Sequence, residues 1–153
     1  MEARVVSAGR DLEEVRDLLA EYAKWVAVDL SFQGFAEELA GLPGEYVAPG
    51  GTLLLCIVET ESAGCIAVRR WRDDACEMKR LYVRPRYRGA RCGLFLAERS
   101  IAWAVRAGYK RMVLDTLPVM ASAQRLYERL GFRDIAPYRF NPIPGARFMA
   151  RDL

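Results

Sequence analysis

Between Asp11 and Leu30 the apolar residues recur at intervals of three and four: Leu12, Val15, Leu18, Leu19, Tyr22, Trp25 and Val26 in DLEEVRDLLAEYAKWVAVDL. That spacing gathers them on one face of a long helix, and Asp11 with Glu14 stands as a capping box at its start. The preceding RVVSA reads as a short strand. FQGFAEELAG reads as a second, shorter helix stopped at Gly41, and GLPGEYVAPGG as a loop, because its glycines and prolines break any regular pattern. From Thr52 the period changes. TLLLCIVE, GCIAVRRW and CEMKRLYV are strand-like runs joined by TESAG and RDDA, and they predict an antiparallel meander. GLFLAERSIAWAVRAG returns to helical spacing through Leu94, Ala97, Ile101, Ala104 and Val105 and stops at Gly108 before the strand RMVLDT. A right-handed crossover would set that strand parallel to CEMKRLYV. MASAQRLYERLG follows as a short helix, with Ala123, Leu126, Tyr127 and Leu130 spaced for packing. FRDIA and ARFMARDL then read as closing strands around PYRFNPIPG.

A chain of 153 residues, 52% hydrophobic and 28% charged, fits one globular domain over 1–153, with no repeat or linker. The formal net charge of +3 is too small for a general polycation. With no histidine, the Ser-His and Cys-His nucleophile arrangements are excluded, and acid–base work falls to Glu, Asp, Tyr, Cys or water. Cys56, Cys65, Cys76 and Cys92 form no CxxC pair, so no metal site is expected and the four are read as buried free thiols. No apolar run approaches the length of a membrane span and the first residues carry no signal-peptide pattern, so the expected location is the cytoplasm, with no membrane partner.

The charge is concentrated in one place. PRYRGARCG, at 85–93, follows a strand and opens a helix, where unpaired N–H groups and the positive end of the helix dipole favour an anion. Gly89 and Gly93 allow a close backbone approach, and Arg86, Arg88 and Arg91 offer charge-assisted hydrogen bonds. Spacing alone leaves a phosphate site and a solvated arginine-rich loop both open. GxxxxGK[ST] and GxGxxG are both absent, which disfavours the P-loop and dinucleotide classes.

KRLYVRPRYRGARCGLFLAE, AGYKRMVLDT and ASAQRLYERLGF, in that order and spacing, resemble the GNAT superfamily of acetyl-CoA-dependent N-acetyltransferases, from about Thr52 to the end of the chain. The resemblance implies an α/β (α+β) fold: a mixed, mostly antiparallel twisted sheet of about six to seven strands with about four helices. Its central parallel pair would splay around a β-loop-α-β cofactor unit. The family's pyrophosphate loop falls on Arg88, Gly89, Ala90, Arg91, Cys92 and Gly93, with Arg91 at a position that is glycine in the family. Arg91 is expected to be already helical, so that its Cβ costs little and its charge reinforces phosphate binding. The main chain of Leu81, Tyr82 and Val83 is implied to pair with the pantetheine arm as an added strand.

Tyr127 falls where many members carry a tyrosine that protonates the leaving thiolate, and Glu77 where some place a general base; packing and an ion pair with Lys79 or Arg80 are their alternative readings. Where members often have a cofactor-binding asparagine stands Met120, with Ser122 nearby. Cys92 is read as packing at the helix start. Glu45, Tyr46, Tyr138 and Asn141 are acceptor-site candidates. The implied activity is direct acetyl transfer from acetyl-CoA to a primary amine of a small molecule or amino-acid-like acceptor, with room for a homodimer. A peptide acetyltransferase and a weakly catalytic coenzyme A- or nucleic-acid-binding module are the alternatives, nucleic acid being the less expected partner.

Overall fold

The computed structural model describes residues 1–6 and 9–153. The strands are β1 (Glu2–Val5), β2 (Thr52–Val58), β3 (Glu61–Arg72), β4 (Ala75–Val83), β5 (Arg111–Thr116), β6 (Arg133–Asp134) and β7 (Arg147–Asp152); the helices are α1 (Arg10–Val26), α2 (Phe35–Gly41), α3 (Cys92–Arg106) and α4 (Ala121–Arg129). The strands make one seven-stranded sheet in the order β1-β2-β3-β4-β5-β7-β6. Every pairing is antiparallel except β4 with β5, which run parallel as expected.

Several boundaries differ from the sequence reading for identifiable reasons. The first strand covers only part of RVVSA, whose Ser7 and Ala8 lie outside the described residues. Asp11 does not cap α1: the N-cap is Gly9, at φ 84°, and Asp11 lies inside the first turn, where its charge still suits the helix dipole. Most of TESAG is strand, because the chain reverses at Glu59 and Thr60 and β3 resumes at Glu61. FRDIA shrinks to Arg133–Asp134, since Pro137 lacks the N–H that a longer ladder would need.

Each face of the sheet has its own core. On one, α1 buries Val15, Leu18, Leu19, Tyr22 and Val26 against Leu53, Leu55, Cys65, Ala67 and Tyr82. On the other, Leu96, Ala97, Ile101 and Ala104 of α3 meet Ile66, Val68, Met78, Met112 and Met149. Leu96 is fully buried, and truncating it to alanine would cost about 2–5 kcal/mol through lost transfer energy and the cavity left behind. Gly51 is fixed by space: a Cβ there would sit 2.2 Å from the Glu45 carbonyl and 2.6 Å from that of Val68, so the 42–51 loop lies hard against β3.

The middle of the sheet carries two irregularities. β4 pairs with β5 only at Ala75, Cys76 and Glu77, and beyond these the strands part. β4 also carries one residue more than β3 between the pairs Ala67↔Lys79 and Cys65↔Tyr82, a bulge in which Arg80 takes φ 61°. The bulge breaks the alternation of side chains, so Lys79 and Arg80, though consecutive, both serve the face covered by α1 and α2.

Candidate active site

Beyond Glu77, one edge of β4 is bonded to β3 and the other has no strand beside it among the described residues. Leu81, Tyr82 and Val83 lie on this stretch: Leu81 in the core under α3, Tyr82 packed edge-on to Tyr22 at 6.2 Å, and Val83 with its carbonyl accepting from Arg88 Nε at 2.9 Å. Their free edge offers an extended ligand the same alternating N–H and C=O groups that a neighbouring strand would use.

The chain then turns through a single 3₁₀ turn at Pro85–Tyr87 and enters α3. Ala90 N–H is bonded to the Tyr87 carbonyl, and the first bond of α3 runs from Phe95 N–H to the Arg91 carbonyl. That leaves the N–H groups of Cys92, Gly93 and Leu94 at the open end of a fifteen-residue helix. Gly89 has φ 95°, with open space where a Cβ would be.

Arg91 is not helical. It is the N-cap residue, at φ 66° and ψ 17°, because the chain must reverse hand between the loop and the helix. A side chain in this conformation costs roughly 1–2 kcal/mol relative to glycine. The loop's arginines also divide their labour. Arg84 pairs with Glu21 at 2.9 Å, Arg86 pairs with Glu61, and Arg88 stacks over Trp25 at 4.7 Å. Arg91 is exposed and has no ion pair among the described residues. Cys92 is buried at the helix start beside Cys56, whose thiol burial and the Cys92 sulfur push up to about 12.

Where β4 and β5 part, a cleft opens that is lined by Lys79, Arg80, Asp115, Met120, Tyr127 and Asn141, among others. Tyr127 is 5% exposed, held by Phe132 at a ring distance of 5.8 Å, and its hydroxyl makes no hydrogen bond among the described residues. Burial first, and then the nearby Tyr22 and Asp115, raise its pKa and keep the phenol protonated. It is therefore both a packed core residue and an unengaged donor at the cleft. Met120 lines the same cleft and accepts a contact from Thr116 Oγ1, whereas Ser122 is exposed and bonded to Arg125.

Glu77 is fully buried and occupied. Arg69 Nε donates to it at 2.9 Å and Tyr138 at 2.6 Å, with Arg139 at 3.4 Å and Lys79 at 4.0 Å. Burial alone would raise its pKa, but Lys79, Arg139, the Tyr138 hydroxyl and Arg69 together hold it below the usual carboxylate value. The ion-pair reading thus holds for Lys79 and not for Arg80, which instead grips both carboxylate oxygens of Glu38 at 2.7 and 3.0 Å and Gln33 at 2.6 Å. Arg80 also stacks on Phe35 at 5.0 Å.

Of the acceptor candidates, only Asn141 lines the cleft, donating to Asp115 Oδ2 at 3.0 Å. Tyr46 is a core residue, Glu45 is an exposed partner of Arg69, and Tyr138 lies between Trp71 and Phe148 with its hydroxyl on Glu77. Sequence reasoning missed Lys79 and Asp115. Their signal was a charged residue set among apolar ones within a strand, which calls for a partner or a ligand. Among the described residues no group of His, Cys, Asp and Glu is placed to hold a metal ion, and no helix is long and apolar enough to cross a membrane.

Residues 12–132 match the model of the acetyltransferase (GNAT) family. An uncharacterized N-acetyltransferase of Schizosaccharomyces pombe is 39% identical over 150 residues, spanning 97% of this chain and 92% of that one. N-acetylaspartate synthetase of Danio rerio is 29% identical over 110 residues, 71% of this chain but 39% of the relative. The solved structure of PaiA N-acetyltransferase from Thermoplasma acidophilum in complex with coenzyme A superposes with a TM-score of 0.76 at 16% identity over the whole of both chains, a likeness of fold. An unpaired strand edge, a helix opening beside it and a buried donor in the cleft between them are thus found in a chain that belongs to the acetyltransferase (GNAT) family and is an acyltransferase.

Proposed function

We propose that the protein transfers the acetyl group of acetyl-CoA directly to a primary amine of a small, amino-acid-like acceptor. The observation that carries this reading is the parting of β4 from β5 after Glu77, which leaves a bonding edge leading into a cleft that holds an unengaged phenol. The edge from Met78 to Val83 pairs with the pantetheine amides, and the open amides of Cys92, Gly93 and Leu94 take the pyrophosphate. Arg91, which has no ion pair among the described residues, adds charge there. A main-chain N–H of β4 stabilises the oxyanion as the amine adds to the thioester carbonyl. Tyr127 gives its proton to the departing sulfur.

The incoming ammonium must first lose a proton. Glu77, expected for this role from its strand position, is a weak base between two hydrogen-bond donors, Arg69 and Tyr138, and two further cations, Arg139 and Lys79. Asp115 lines the cleft and has a single neutral donor, Asn141, so we assign it the proton and leave Glu77 to organise the cations around it. The amino-acid-like character of the acceptor is supported by the relatives named N-acetylaspartate synthetases. Nucleic-acid binding is less well supported, since Arg84 and Arg86 are already neutralised by glutamates. The test is thiol release from acetyl-CoA across a panel of amino acids, polyamines and peptides. Turnover with small amines, reduced in Asp115→Asn more than in Glu77→Gln, is expected; release only with peptides, or none, would contradict the reading.

A further inference from the structure

Resting on the acetyl-transfer reading, we infer that the acceptor carries a carboxylate next to its amine and that Lys79 binds it, with Asp115 receiving the amine end. Glu77 is one carboxylate approached by three cations, Arg69, Arg139 and Lys79. Arg69 has a second ion-pair partner in Glu45, whereas among the described residues Arg139 and Lys79 pair with Glu77 alone, Arg139 stacking besides on Trp71 and Tyr138. Of the two, Lys79 is the more distant, at 4.0 Å, and makes no hydrogen bond among the described residues. Its side chain is 5% exposed, so water does not solvate it freely. A largely buried ammonium whose one ion-pair partner stands at 4.0 Å keeps its three donors for a ligand that reaches the cleft.

The bulge explains how this charge comes to the cleft. Arg80, next in sequence and turned to the same face, already has its charge matched by Glu38, which it grips through two nitrogens while a third donates to Gln33. Lys79 lines the cleft together with Asp115, whose remaining oxygen has no donor among the described residues. A cation and a carboxylate in one narrow cleft match the two ends of an amino acid. A simple alkylamine would satisfy Asp115 and leave Lys79 bare. The surrounding cations act in the same direction: Arg80 and Arg139 are close enough to press on Lys79, and the charge they share draws in an anionic group.

The experiment compares L-alanine, L-aspartate and L-glutamate with their α-amides as acceptors, using the full chain and acetyl-CoA. Alongside it, calorimetric binding of N-acetyl-L-alanine and of its amide is measured on the coenzyme A-loaded protein. The free acids are expected to be preferred in kcat/KM by about tenfold or more, and N-acetyl-L-alanine to bind more tightly than its amide. Lys79→Met should abolish both preferences without lowering the Tm, and Lys110→Met, an exposed charge outside the site, should change neither preference. Turnover without a carboxylate preference, or a preference that survives Lys79→Met, overturns the inference and leaves acetyl transfer standing. Lys79-dependent binding without turnover of any amine supports the carboxylate site and overturns the acetyl-transfer reading; neither binding nor turnover overturns both.

Discussion

The two sides of β4 offer a ligand different kinds of group. On the edge facing α3 and the loop at 84–93 it is the main chain that is open: unpaired strand amides and the start of a helix. On the face under α1 and α2, the work is done by charged side chains almost fully buried, Glu77, Lys79 and Arg80, whose balance depends on partners far away in sequence. A binding edge made of backbone tolerates many sequences. A charged face does not, because removing one member exposes the others.

The largest effect is therefore expected on the charged face. Glu77→Gln leaves Arg69, Arg139 and Lys79 around a neutral amide, and denaturant unfolding should record a loss of about 3–5 kcal/mol. A loss within 1 kcal/mol of zero would show that the cluster is well solvated.

Lys79 gives a prediction of opposite sign. Burial, then Arg80 and Arg139, push its pKa down from 10.5 to about 8. Between these values the unfolded chain binds the proton that the folded chain has released, so this group contributes stability that grows as pH rises through the window. Below it, the buried charge opposes folding. Lys79→Met should then be more stable than the parent at pH 7 by up to about 3 kcal/mol, and the gap should close by about pH 10.5. Stability curves of the two proteins at several pH values check this, and a pH-independent gap would contradict it.

On the cofactor side the expected effects are kinetic and smaller. Tyr127→Phe keeps the packing against Phe132 and should lower kcat by about 100-fold, leaving KM for acetyl-CoA within a factor of about two. Smallest of all, Arg91→Gly should stabilise the fold by up to about 1 kcal/mol by relieving the left-handed backbone. At low salt it should weaken coenzyme A binding a few-fold, a difference that shrinks as salt screens the lost charge. Tighter binding of coenzyme A by Arg91→Gly at constant salt would mean that the side chain obstructs the loop.

The same contrast explains how much of the molecule is legible in its sequence. The meander, the α3 crossover and the strand Arg111–Thr116 follow from local periodicity and stops, and they appear where the sequence puts them. The loop is legible because its residues are contiguous, although the conformation of Arg91 is not: a left-handed N-cap depends on how the chain enters α3, which no residue type dictates. The charged face is largely illegible. Arg80 meets Glu38 across 42 positions and Tyr138 meets Glu77 across 61, and the bulge that turns Lys79 and Arg80 to one face has no glycine or proline to announce it. Glu77 stands out as a candidate base because it is alone as an acid in CEMKRLYV, while its donors lie in Arg69, Tyr138 and Arg139, invisible at short range.

The central claim is that the free edge of β4 and the opening of α3 together hold acetyl-CoA. Amide hydrogen exchange of the full chain, with and without acetyl-CoA, tests it residue by residue. The expected result is added protection at Met78–Val83 and at 92–94 in the same titration, with β1 and β2 unchanged. Protection confined to another surface, or none at saturating acetyl-CoA, would contradict it.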